Sequence, residues 1–103
     1  MTRKRPPAIG YHWSPTIHRA SIQTWGLRVS DGGITRSKPT VCLSPTPGDA
    51  WWLSAGMRDP DDWDLWQVQV PADAFWRSDG YPELRTFNNI PADKLTYIAS
   101  RRA

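Results

Sequence analysis

Proline and glycine punctuation constrains this chain more than anything else in it. Ten prolines and seven glycines fall among 103 residues. Each proline removes a backbone donor and each glycine loosens a helix, so no helix should run much beyond about 12 residues. Short elements joined by turns remain. At this length they make one domain, with a core burying roughly two-thirds of the unfolded surface. The reading is a basic lead over 1–9, a domain over 10–100 and a basic end over 101–103.

Tyr11 to Leu27, YHWSPTIHRASIQTWGL, organises the front half. A strand over 10–13 is expected to feed a helix, with Ser14 as N-cap and Pro15 at the first helical position. Ile17, Ala20, Ile22 and Trp25 form its apolar stripe. Gly26 is expected to end it, and Leu27 to make the hydrophobic contact just beyond. This arrangement presents His12 at a strand end beside a helix start, where a ligand meets backbone donors.

The pattern then echoes itself. Leu43-Ser44-Pro45-Thr46 repeats Trp13-Ser14-Pro15-Thr16. A strand over 39–43 should lead into a second helix capped by Thr46 or Ser44, with Pro47 first, Asp49 in the first turn and Gly56 at its end. A second echo matches Val70-Pro71-Ala72-Asp73-Ala74-Phe75 with Ile90-Pro91-Ala92-Asp93-Lys94-Leu95. Each reads as a strand end followed by a proline-started turn. WDLWQVQV at 63–70 alternates as a strand, and strands are also expected over 83–87 and 94–100. About five strands and two short helices give the class α+β.

Charge and composition exclude several functions. The pI near 9.4 arises from the tails. Residues 6–100 carry 8 basic against 10 acidic side chains, which argues against a basic nucleic-acid groove in the domain. Nucleic acid could be held only through the basic tails. One cysteine rules out an internal disulfide and fits a reducing, cytoplasmic setting. No apolar run reaches the roughly 20 residues of a membrane span. Asp59, Asp61, Asp62 and Asp64 imitate a calcium loop, but Asp64 and Val70 stand where it needs glycine and glutamate. His12 and His18 assemble no metal set, so no metal is expected. Neither G-x-S-x-G nor a phosphate-binding glycine loop occurs. Cys42, in a strand without a basic neighbour, reads as an inert thiol. Glu83 is the one glutamate; on its own it reads as a surface carboxylate near a turn, paired with Arg85.

The order of these features resembles the ADP-ribosyltransferase-like fold. The residues concerned are His12 on the first strand, a helix ending in Gly26-Leu27, and a strand ending in Ser44-x-Thr46. A late strand then opens with Glu83, and a closing IPADKLTYI element follows. The chain looks closest to short members encoded by bacteria and phages. It is similar to the DNA-modifying ADP-ribosyltransferase toxins and the RNA 2′-phosphotransferases. The resemblance implies a compact pair of small, mostly antiparallel sheets with two short helices, gripping NAD as substrate. It implies His12 on the ribose hydroxyls and Ser44 and Thr46 on the nicotinamide side of the pocket. Glu83 would be the catalytic carboxylate that stabilises the oxocarbenium-like state as nicotinamide leaves. The partner implied is a macromolecular acceptor in the cytoplasm. Cys42 departs from the pattern, standing where many relatives carry a tyrosine. Trp51, Trp52 or Tyr11 is left to supply the stacking ring. A non-catalytic interaction protein that keeps the fold and uses its seven tryptophans for contact is the alternative.

Overall fold

A computed structural model describes residues 5–29, 40–54, 62–77, 80 and 82–102. The expected turn at 31–33, most of the acidic turn at 57–62 and the helix stop at Gly56 lie outside them. The class is α+β, with two antiparallel sheets of three strands each and two short helices.

The first sheet has β3 (Trp63–Gln69) at its centre, flanked by β1 (Ile9–Pro15) and β6 (Leu95–Arg101). β1 meets β3 residue for residue from Ile9↔Gln69 to Pro15↔Trp63. On the other side the register shifts at Leu65/Trp66, leaving Ile98 of β6 without an opposite number. In the second sheet β5 (Leu84–Thr86) lies between β2 (Val41–Leu43) and β4 (Phe75–Trp76). β4, only two residues long, is the strand that alternation could not announce.

The core fills the space between the sheets and α1 (Arg19–Trp25). Trp66 and Val68 from β3, Val41 and Leu43 from β2, Leu84 from β5, and Ile22, Leu27 and Ile90 form one buried cluster. On the other face of the first sheet, α2 (Pro47–Ser54) packs against β1. Trp51 lies edge-on to Trp13 at 5.0 Å and to Trp63 at 6.3 Å, and the Arg101 guanidinium sits 4.2 Å over its ring. Covered on both sides, β3 buries four consecutive residues, Trp63 to Trp66, where alternation alone implies one wet face.

The front of the chain differs from its expected layout. β1 continues through Ser14 and Pro15, because Asp64 and Trp63 extend the ladder opposite them. Ser14 is therefore a buried strand residue, and Pro15 closes the strand with φ −53° and ψ 137°. A single 3₁₀ turn, Thr16–His18, comes before α1. The apolar stripe also fails: Ile22 is buried, but Ile17 is 84% and Trp25 60% exposed. A seven-residue helix has only two turns, so it presents one core contact instead of a stripe.

The helix stop is as expected, and tighter. Gly26 has φ 78° and ψ −161°, a region open essentially to glycine alone. A Cβ there would sit 1.9 Å from the Ile90 carbonyl oxygen. That closeness lets Leu27 and Ile90 exchange backbone hydrogen bonds of 2.9 and 2.8 Å. Thr46 caps α2 by accepting from the Asp49 amide at 3.0 Å, with Pro47 first in the helix. Both echoed turns form: Ala74 N–H donates to Pro71 and Lys94 N–H to Pro91, each at 3.0 Å.

Candidate functional site

The two sheets meet where β1 passes the free edge of β2. Tyr11 and Ser44 exchange backbone hydrogen bonds of 2.8 and 2.9 Å across this joint. One residue further along β1, the His12 side chain takes over from the backbone. Its Nδ1 lies 3.0 Å from the carbonyl oxygen of Cys42, an atom that points away from β5. A carbonyl only accepts, so Nδ1 carries the proton. Burial holds the His12 pKa below its ordinary 6.5, the carbonyl bond opposing it more weakly. The neutral ring therefore keeps a lone pair on Nε2, ready to accept from a hydroxyl.

Cys42 links His12 to Glu83. Cys42 stands opposite Arg85 in the β2–β5 ladder, and Glu83 lies two residues before Arg85, on the same face. Burial raises the Cys42 thiol pKa, and the neighbouring Glu83 carboxylate raises it further by charge and hydrogen bonding. Thr40 Oγ1, 3.7 Å from the sulfur, acts weakly the other way. The thiol is protonated at neutral pH, in keeping with an inert cysteine. The front histidine thus meets the backbone carbonyl of Cys42 and the lone glutamate its thiol, from two different sheets.

Glu83 is not a surface carboxylate: it is only 5% exposed. Its Oε2 accepts from Arg85 at 3.2 Å, the expected partner, and from Arg77 at 3.3 Å. The Arg77 amide also donates to the Glu83 carbonyl at 2.8 Å, so backbone and side chain hold β4 to the start of β5. Phe75, opposite Arg85, and Phe87, two residues past it, share that face and stack at 5.2 Å. This face of the second sheet gathers a carboxylate, two cations, a thiol and two rings.

The remaining expected residues divide. Tyr11 forms the joint through its backbone, and Ser44 lies fully buried at it with a hydroxyl that has no hydrogen-bond partner. Thr46 is exposed and its hydroxyl is occupied as the α2 cap. Trp51 belongs to the cluster with Trp13 and Trp63. By strand alternation Trp13 and Tyr11 lie across β1 from His12, so Trp51 packs on the face opposite the histidine.

Sequence reading missed two features. Arg77 lies between the strands recognised at 63–70 and 83–87, outside both, and its six-residue separation from Glu83 gave no sign of their pairing. The other is Asp64, grouped with an acidic loop but wholly buried in β3. It accepts from both Arg19 nitrogens at 2.7 and 2.9 Å, from Thr16 at 2.9 Å and from Ser100 at 2.8 Å. Tyr97 hydrogen-bonds Ser100, and Arg19 stacks 5.0 Å over the Tyr97 ring. With its acceptors filled, Asp64 is a structural clasp between α1, β3 and β6. The available signal was the alternation of 63–70, which sets Asp64 on the same face as Trp66 and Val68.

Two cavities, of about 360 and 300 Å³, lie against Val70 and Pro71; neither is lined by His12 or Glu83. Among the described residues no group of three or more His, Cys, Asp or Glu side chains could hold a metal ion. No helix there is long and apolar enough to cross a membrane. No protein-family model and no curated protein matches the chain.

Proposed function

We propose that this chain is a small mono-ADP-ribosyltransferase-like protein that binds NAD as substrate and transfers ADP-ribose to a macromolecular acceptor. The observation that supports this reading most is that His12 and Glu83, from two different sheets, both adjoin Cys42, one at its carbonyl and the other at its thiol. The neutral His12 ring, held by the Cys42 carbonyl, offers Nε2 to a ribose hydroxyl. The Glu83 carboxylate supplies negative charge where the glycosidic bond opens. In that step both bonding electrons leave with the nicotinamide nitrogen, and the ribose carbon becomes cationic. A fixed carboxylate lowers that barrier. Arg77 and Arg85 hold Oε2 and so restrict the carboxylate to one orientation. The test is a thermal melt with and without NAD, followed by incubation of the protein with labelled NAD and lysate. A rise in Tm and a labelled acceptor are expected. A folded protein that neither gains stability nor labels anything overturns the reading.

A second reading has its own support. Trp25 and Trp52 are largely exposed, and the rings of Tyr11 and Trp51 lie across β1 from His12. These features suit a binding protein that keeps the fold without the chemistry. Such a protein forms a stable complex that Trp25→Ala or Trp52→Ala weakens, while Glu83→Gln leaves it unchanged.

A further inference from the structure

The echoed turns build something that the site above does not use. Val70-Pro71-Ala72 and Ile90-Pro91 face one another across the cavity of about 300 Å³, which lies at the lower limit of small-ligand pockets. Their walls are apolar. The polar groups that line it are Gln69, Asn89 and Lys94. Asn89 Oδ1 accepts from the Val29 amide at 2.7 Å, which fixes the side-chain amide and leaves its NH₂ to donate elsewhere. Lys94 makes no ion pair among the described residues; only its backbone is engaged, with Pro91. At the equivalent position of the first turn stands Ala74, so the charge belongs to one copy of the echo alone. Three polar side chains, Gln69, Asn89 and Lys94, of which only Lys94 is charged, and no acidic side chain line a hollow whose remaining walls are apolar.

We infer that this cavity binds a small organic carboxylate, its apolar body between Pro71 and Ile90 and its oxygens on Lys94 and Asn89. Charge selects the ligand class, since an ammonium and an amide NH₂ both demand an acceptor. Size selects a free small molecule over a macromolecular segment. The site is independent of His12 and Glu83 and stands or falls separately from the NAD reading.

The experiment is amide NMR on the full chain with benzoate as probe, benzamide as its neutral isostere and inorganic phosphate as a small anion without an apolar body. Benzoate is expected to shift the Val70 and Ile90 amides with millimolar affinity, and benzamide to bind about tenfold more weakly or worse. Lys94→Gln, an exposed change, should weaken benzoate by a similar factor. Silence at ~20 mM benzoate overturns the inference, because that concentration exceeds the millimolar affinity expected of such contacts. So does equal binding of benzamide or of phosphate, or unchanged binding in Lys94→Gln. The benzoate–benzamide comparison on the unaltered protein decides the matter even if the variant folds poorly.

Discussion

The His12 imidazole and the Cys42 carbonyl, thirty residues apart in the chain, are joined by a 3.0 Å hydrogen bond where the two sheets part. A side chain thereby completes an edge that the backbone of β1 reaches only at Tyr11. Because burial depresses the His12 pKa, protonation is disfavoured in the folded state relative to the unfolded chain. The unfolded chain therefore binds the extra proton first, and stability falls as pH drops through the ordinary histidine range near 6.5. A Tm–pH profile should show this loss between about pH 7 and 5, and His12→Gln should remove it. Asp64 and Asp73, both held below the ordinary 3.8, lose their contributions only at lower pH, so the two effects separate.

Glu83→Gln keeps the shape of the side chain but not its charge. On the proposed reading, transfer from NAD should fall about 10²–10³-fold, the usual loss when one transition-state-stabilising group is removed. The fold should survive, since Arg77 and Arg85 are each about a third exposed and water can take over their solvation. Parallel kinetics and melts check both halves of this expectation.

Cys42 reports on the same carboxylate. Its raised pKa predicts slow alkylation by iodoacetamide at pH 8, well behind a free thiol. Removing the Glu83 charge takes away one of the causes, so Glu83→Gln should speed alkylation several-fold. An unchanged rate would place the two groups further apart than described.

Two glycines should respond oppositely. Gly26→Ala drives a Cβ into the Ile90 carbonyl and forces an L-residue into a glycine-only region. A loss of about 4 kcal/mol or more, or failure to fold, is expected. Gly48 lies in α2, and the nearest neighbour of an added Cβ, Thr46 Oγ1, is 3.9 Å away. Gly48→Ala should therefore gain about 0.5–1 kcal/mol in urea unfolding.

The Asp64 clasp is testable by a double-mutant cycle. Arg19→Ala leaves a fully buried carboxylate without its ion-pair partner, and Asp64→Ala takes the acceptor from four donor atoms on Arg19, Thr16 and Ser100. Both should lower stability in urea unfolding, Asp64→Ala by about 3 kcal/mol, and the pair together clearly less than the sum.

Punctuation and echoes were readable from the residues because they are local. Gly26 as a stop, Thr46 as a cap, Pro47 as a first helical residue and the paired Pro-Ala-Asp turns depend on a few neighbours only. Ser14 was not readable in this way. Its cap chemistry is sound, but seven paired positions with β3 outweigh one side-chain hydrogen bond. Ile17 and Trp25 show the same limit, since a helix this short gives periodicity too little length to operate. At the candidate site, residue order nominated His12 and Glu83 through the resemblance. Their link through Cys42 could not be named in this way, because it depends on which edge of β2 is left open.

That open edge has a consequence for how this chain can vary. Residues on β2 alternate between the hydrophobic interior (Val41, Leu43) and the face shared with Glu83 (Cys42), and the Tyr11–Ser44 contact sets the phase. Deleting Leu43, which lies between Cys42 and Ser44, would turn the Cys42 thiol inward and put Val41 beside the carboxylate. Chemistry and solvent exclusion are therefore written on the same three residues. Length changes here cannot retune one without dismantling the other, whereas point substitutions at Cys42 can.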